Sequence, residues 1–137
     1  MKLTLDVENT VIKREGKLQL DPFEPENTLV MVGMLDDQGN EDIVTFDHSE
    51  VEATPNGHAT VQSKLDQATV LIGHNIGHDL VWLWESGFTY RGPVFDTMMM
   101  EYLIILGIFF IINRIILERI RIVMLQTLVS LRPLVFH

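Results

Sequence analysis

The sequence predicts an α/β domain with a mixed sheet, three antiparallel strands plus one or two parallel strands, flanked by helices. Three observations carry this prediction. Residues 2–8 alternate, placing Leu3, Leu5 and Val7 on one face and Thr4, Asp6 and Glu8 on the other. Residues 28–35 form a nearly continuous apolar run, the pattern of a central strand covered on both faces. After His58, helical and strand patterns take turns, as the connections of parallel strands require.

The first strand ends in two carboxylates on one face, Asp6 and Glu8. At a rise of about 3.3 Å per residue their Cα atoms stand roughly 6–7 Å apart, close enough for both to reach one cation. The plainer alternative is a strand that ends in solvated acids. Residues 9–27 read as a loop marked by Gly16, Pro22 and Pro25, with a short strand around residues 17–20. The apolar run at 28–35 is followed by a turn at 36–40 and a third strand at 42–46.

An acidic loop, 47–57, precedes a helix expected at 58–68, with Val61 and Leu65 on one face. Residues 69–73 are a compact apolar strand, and a helix follows over 78–86, stopped by Gly87. Leu80, Leu83 and Trp84 share a face of that helix, with Asp79 at its margin toward the sheet and Glu85 opposite. Residues 93–95 form a short strand, and Asp96 is the expected N-cap of a last helix.

A chain of 137 residues is one domain at most, large enough to bury a core. It has no cysteine, so disulfides and thiolate chemistry are excluded. No basic and apolar leader precedes the first strand, and a cytoplasmic location is expected. The net charge of −9 conceals a break: residues 1–102 carry −12, whereas residues 103–137 carry +3 and nine isoleucines between Ile104 and Ile122. So acidic a body is unsuited to gripping a phosphate backbone unaided. For a nucleic-acid substrate, bound divalent metals or an attached partner must supply the positive charge.

The segment Leu5-Asp6-Val7-Glu8-Asn9-Thr10 resembles the first motif, Asp-x-Glu-x-Thr, of the DEDD-type 3′→5′ exonucleases. Gly73-His74-Asn75-Ile76-Gly77-His78-Asp79 resembles the second, Gly-x-Asn-x-x-x-Asp. Val94-Phe95-Asp96-Thr97-Met98 is similar to the Phe-Asp-Thr-Met that follows in proofreading domains of family-A DNA polymerases, phage ones in particular. The resemblance covers residues 1 to about 105 and implies a ribonuclease-H-like fold. It divides the chain into an incomplete exonuclease domain, 1–105, and an atypical apolar and basic tail, 106–137.

The resemblance further implies two Mg²⁺ or Mn²⁺ ions held by Asp6, Glu8 and Asp79 at the 3′ end of a single-stranded or frayed DNA. Asp6 would bridge both ions, Glu8 would bind the ion that carries the attacking water, and Asp79 would hold the second ion mainly through water. Thr10 and Asn75 would contact the substrate strand; the plainer reading of Asn75 is an amide satisfying nearby backbone groups. A DNA polymerase domain, in cis or in trans, is the implied partner, and the host cytoplasm the location if the protein is phage-encoded.

Trp82, Trp84, Phe88 and Tyr90 are candidates for stacking on bases, although core packing is the commoner use of such residues, for Trp84 above all. His74 and His78 have a metal-like spacing, but His74 precedes the helix and no glutamate occupies the position a zinc protease needs.

The family's fourth carboxylate, in a Tyr- or His-x-x-x-Asp motif on a later helix, has no counterpart here; after Glu101 the only acid is Glu118, four residues beyond Arg114. This keeps two alternatives open: an inactive ribonuclease-H-like fragment or interaction domain, and an RNA-trimming exonuclease of the same superfamily. In the tail, residues 102–112 are eleven apolar residues ended by Asn113 and Arg114, fewer than the roughly 20 a bilayer span needs, so no membrane is expected. An interfacial helix with Arg114, Arg119 and Arg121 as its basic side is a second reading. The preferred one is a tail read out of frame from an AT-rich gene, prone to aggregate.

Overall fold

The computed structural model describes residues 1–131, with side chains through residue 121. The chain divides into two compact units, Met1–Met98 and a second that begins at Met99.

The first unit is built on a five-stranded mixed sheet flanked by helices, an arrangement consistent with a ribonuclease-H-like fold. Its strands are β1 (Lys2–Asn9), β4 (Leu29–Asp36), β5 (Glu41–Thr45), β6 (Val70–Gly73) and β7 (Val94–Asp96), in the order β5-β4-β1-β6-β7. β4 is antiparallel to β1 and β5, whereas β6 runs parallel to β1 and β7 parallel to β6. The antiparallel meander and the two parallel additions agree with the sequence patterns. The crossovers are made by α1 (Gly57–Gln67) and α2 (Ile76–Glu85).

The alternation of β1 puts Leu3, Leu5 and Val7 into the core with Val32, Met34, Leu71 and Leu83, and leaves Thr4, Asp6 and Glu8 exposed. α1 adds Val61 and Leu65 to the same core. Gly87 ends α2 in a left-handed conformation, φ 86°, and the Phe88 N–H behind it reaches the Leu83 carbonyl at 2.9 Å.

Between β1 and β4 the structure holds a hairpin, β2 (Ile12–Arg14) with β3 (Lys17–Gln19), where the sequence suggests a loop and one strand. Its turn residues, Glu15 and Gly16, both have positive φ, 51° and 78°, as a tight two-residue hairpin needs. Glu is an unusual residue there, which hides the turn from a sequence reading. Asn27 fastens the hairpin: its buried amide donates to the carbonyls of Gln19 and Asp21 and accepts from the Ile12 N–H.

The buried arc of α2 is rotated from the expected one. It comprises Ile76, Asp79, Leu80, Trp82 and Leu83, so Asp79 lies within it rather than at its margin. Trp82 is 1% exposed and Trp84 50%, which reverses the expected assignment of Trp84 to the core. Both residues stand at the edges of the apolar stripe, where the covering elements decide. Trp82 lines a cavity of about 340 Å³ with Pro22, Leu29, Phe46 and Phe88.

The last helix, α3 (Thr97–Leu131), continues through Asn113 and Arg114, where the sequence reading ended the apolar run. The Asn113 side chain turns back to donate to the Phe109 carbonyl at 2.9 Å, so a polar residue does not break the helix. The stretch Thr97–Arg121, 25 residues, is long and apolar enough to cross a membrane by length and composition only. The eleven apolar residues of 102–112 thus form part of a longer helix rather than an isolated run. Large apolar side chains from Leu103 to Ile120 are exposed around the helix, which has no distinctly polar side.

Candidate active site

β6 pairs with only the first half of β1, from Lys2 to Thr4, before the chain leaves the sheet at Gly73. Beyond that point β1 loses its neighbour on one side, and its backbone groups need other partners. Asp79 supplies one: its Oδ1 accepts the Val7 N–H at 3.1 Å. A carboxylate on the first turn of α2 thus caps β1 at the carboxyl ends of the parallel strands, where open α/β sheets place their sites.

Asp79 is 4% exposed. Burial raises its pKa above the ordinary 3.8, the Val7 and Asp79 N–H groups work against the rise, and the negative charge of Asp6 adds to it. Because Asp79 bonds the backbone of Val7, the residue after Asp6, the Asp6 charge lies close enough to act on it. A cation between the two carboxylates would relieve their repulsion.

Asp6 stands opposite Gly33 in the β1–β4 ladder, beside a shallow groove of about 250 Å³ that runs to Ile43. Glu8 follows on the same exposed face. The pairing slips by one residue there: Glu8 pairs with Met31 and Asn9 with Leu29, leaving Val30 as the extra residue. Such bulges re-aim side chains at the ends of strands.

Asn75 joins β6 to α2 in the left-handed conformation, φ 58° and ψ 42°, which asparagine tolerates better than most residues. Its N–H donates to Asp96 Oδ1 at 2.9 Å and its carbonyl accepts from the His78 N–H. Its side-chain amide is exposed and makes no hydrogen bond among the described residues, so the plainer reading of an amide satisfying the backbone does not hold. Thr10, by contrast, has its hydroxyl engaged: it accepts from the Thr28 N–H at 2.7 Å, pinning the end of β1 to the start of β4.

No family model and no curated protein matches the chain. Among solved structures, it is similar to the family B DNA polymerase of the hyperthermophilic archaeon Pyrobaculum calidifontis, with a TM-score of 0.48 and 20% identity over 71% of this chain. The chain spans 15% of that polymerase's length.

The structure thus bonds Asp79 to the backbone next to Asp6 and places Glu8 on the same exposed face of β1 as Asp6. Among the described residues, no three metal-ligating side chains are gathered at one point. The donor set nonetheless fits a hard divalent cation in kind: all three groups are carboxylates, and two of them repel one another. Asp96 caps α3 as expected, its Oδ1 accepting from the Met98 N–H at 3.0 Å, but it is the last residue of β7 rather than the first of the helix. His74 and His78 serve separate partners, Thr97 and Trp82. Glu118 lies on α3, in the second unit.

Proposed function

We propose that the first unit is a metal-dependent 3′→5′ exonuclease acting on single-stranded or frayed DNA ends, the proofreading module of a family-A, phage-type DNA polymerase. The observation that carries the reading is the buried Asp79 carboxylate bonded to the Val7 N–H, beside Asp6, at the carboxyl ends of β1 and β6. A buried acid close to a second carboxylate is an unfavourable arrangement for an isolated fold, and a divalent cation turns it to use.

Asp6, Glu8 and Asp79 would hold Mg²⁺ or Mn²⁺. Bound there, such ions supply an activated water near neutral pH and positive charge for the departing 3′ oxygen. The chain's own residues do the rest. Val7 fixes the Asp79 carboxylate through Oδ1. The exposed Asn75 amide offers both a donor and an acceptor to a nucleotide, and Thr10 braces the strand that carries Asp6 and Glu8.

One observation favours a second reading, a ribonuclease-H-like module without activity: the three carboxylates are not gathered into one cluster, and the resemblance calls for a fourth. Incubation of the full chain with 5′-end-labelled single-stranded DNA and RNA, with Mg²⁺, Mn²⁺ or chelator, separates the readings. The exonuclease reading expects a metal-dependent ladder shortened from the 3′ end of DNA, abolished in Asp6→Ala. A ladder on RNA alone points to RNA trimming, and an intact polymer in every lane sinks the catalytic reading.

A further inference from the structure

Two residues outside the carboxylate set govern the loop that carries Asn75. Only His74 and Asn75 separate the last residue of β6 from the first of α2. This short loop meets the start of α3 at three atoms. Asp96 Oδ1 accepts both the Asn75 N–H, at 2.9 Å, and the Met98 N–H, at 3.0 Å. One oxygen thereby caps α3 and holds the left-handed residue of the loop. The Thr97 hydroxyl donates to the Gly73 carbonyl at 3.2 Å and lies 3.2 Å from His74 Nδ1.

The Thr97 hydroxyl has a single proton. If that proton goes to Gly73, the contact with His74 requires the ring to donate from Nδ1, which sets its tautomer. Gly73 is fitted equally closely: a Cβ there would stand 3.1 Å from the Leu5 carbonyl and from Ile76. The loop therefore has little freedom, while the Asn75 amide it carries is left exposed and unbonded among the described residues.

We infer that Asp96 and Thr97 are positioning residues, which hold the Gly73–Asn75 turn so that the Asn75 amide is presented to the terminal nucleotide of a single DNA strand. The inference rests on the exonuclease reading above. It gives the Asp-Thr pair at the start of α3 a role that helix capping alone does not require, because capping uses the Met98 N–H and not that of Asn75.

The test compares Asp96→Ala, Asp96→Asn, Asn75→Ala and the Asn75→Ala/Asp96→Ala double variant in steady-state hydrolysis of an end-labelled single strand by the full chain. Amide hydrogen exchange at Asn75 is followed in the same proteins. Asp96→Asn keeps the accepting oxygen and serves as the folded control. Asp96→Ala is expected to raise KM about tenfold to 100-fold, the scale of loss from misplacing a contacting group, with a smaller effect on kcat. Asp96→Asn should recover most of that loss, and the double variant should be no worse than Asn75→Ala.

Exchange at the Asn75 N–H should quicken in Asp96→Ala but not in Asp96→Asn. Independent, multiplying losses in the double variant, or an Asn75 N–H that exchanges alike in all proteins, would overturn the positioning role while leaving the exonuclease reading intact. Absence of hydrolysis by the unaltered chain would overturn both.

Discussion

The Val7 N–H donates to Oδ1 of the Asp79 side chain at 3.1 Å, joining residues 72 positions apart where β6 stops shielding β1. This bond explains how a carboxylate comes to be buried beside a second one. The carboxylate completes the sheet's hydrogen bonding where the parallel partner ends. Its charge is the cost, and the consequences of that charge are measurable.

Because the pKa of Asp79 is raised in the folded chain, its ionisation opposes folding. The carboxyl is protonated in both states well below 3.8, and stability is lost as pH rises from that value through the folded pKa. Asp79→Asn keeps an oxygen for the Val7 N–H and removes the charge. Urea unfolding without divalent metal should show the two proteins alike in acid and the variant more stable at neutral pH. With Mg²⁺ the order should narrow or reverse, since an ion that binds only the folded site adds about 2.7 kcal/mol at a hundredfold excess over its Kd.

The two tryptophans of α2 make a sharp pair. Trp82 is enclosed, and its indole N–H donates to His78 Nε2 at 3.2 Å. Trp82→Ala should cost about 3–5 kcal/mol in chemical denaturation, the range for truncating a buried large aromatic. Trp84 is half exposed, with one long bond to the Tyr90 carbonyl at 3.4 Å, and Trp84→Ala should stay within about 1 kcal/mol. Equal losses would contradict the rotated arc of α2.

Most of the sheet was legible because its signals are local. The alternation of residues 2–8 and the apolar run at 28–35 each dictate a strand whatever surrounds them. The hairpin at Glu15 and Gly16 was not, because a glutamate in a left-handed turn has no propensity to announce it. Nor was the choice between Trp82 and Trp84, which depends on the segments that cover the helix edge. For the site, the spacing of Asp6 and Glu8 and the inward turn of Asp79 could be read from strand and helix periods. The bond from Val7 to Asp79 and the clasp of Asp96 on Asn75 could not, since both link residues that only the tertiary fold brings together.

The apolar surface of α3 carries a prediction of its own. Ile105, Phe109 and Ile112 are exposed and share one side of the helix at helical spacing. In aqueous buffer without lipid or detergent the full chain should sediment as large assemblies. Replacing these three residues by glutamate should shift the distribution toward monomer in analytical ultracentrifugation. A monodisperse monomer before substitution would show that this surface does not drive association.

The central claim is that Asp6, Glu8 and Asp79 form a divalent-metal site at the carboxyl ends of β1 and β6, and Mn²⁺ binding tests it directly. Free Mn²⁺ is counted by its electron paramagnetic resonance signal as the full chain is titrated, alongside Asp6→Asn and Asp79→Asn. The account predicts saturable binding to the unaltered chain, weakened at least tenfold in either variant, with Mg²⁺ competing for the same site. Binding that is absent, or that persists unchanged in both variants, would contradict it.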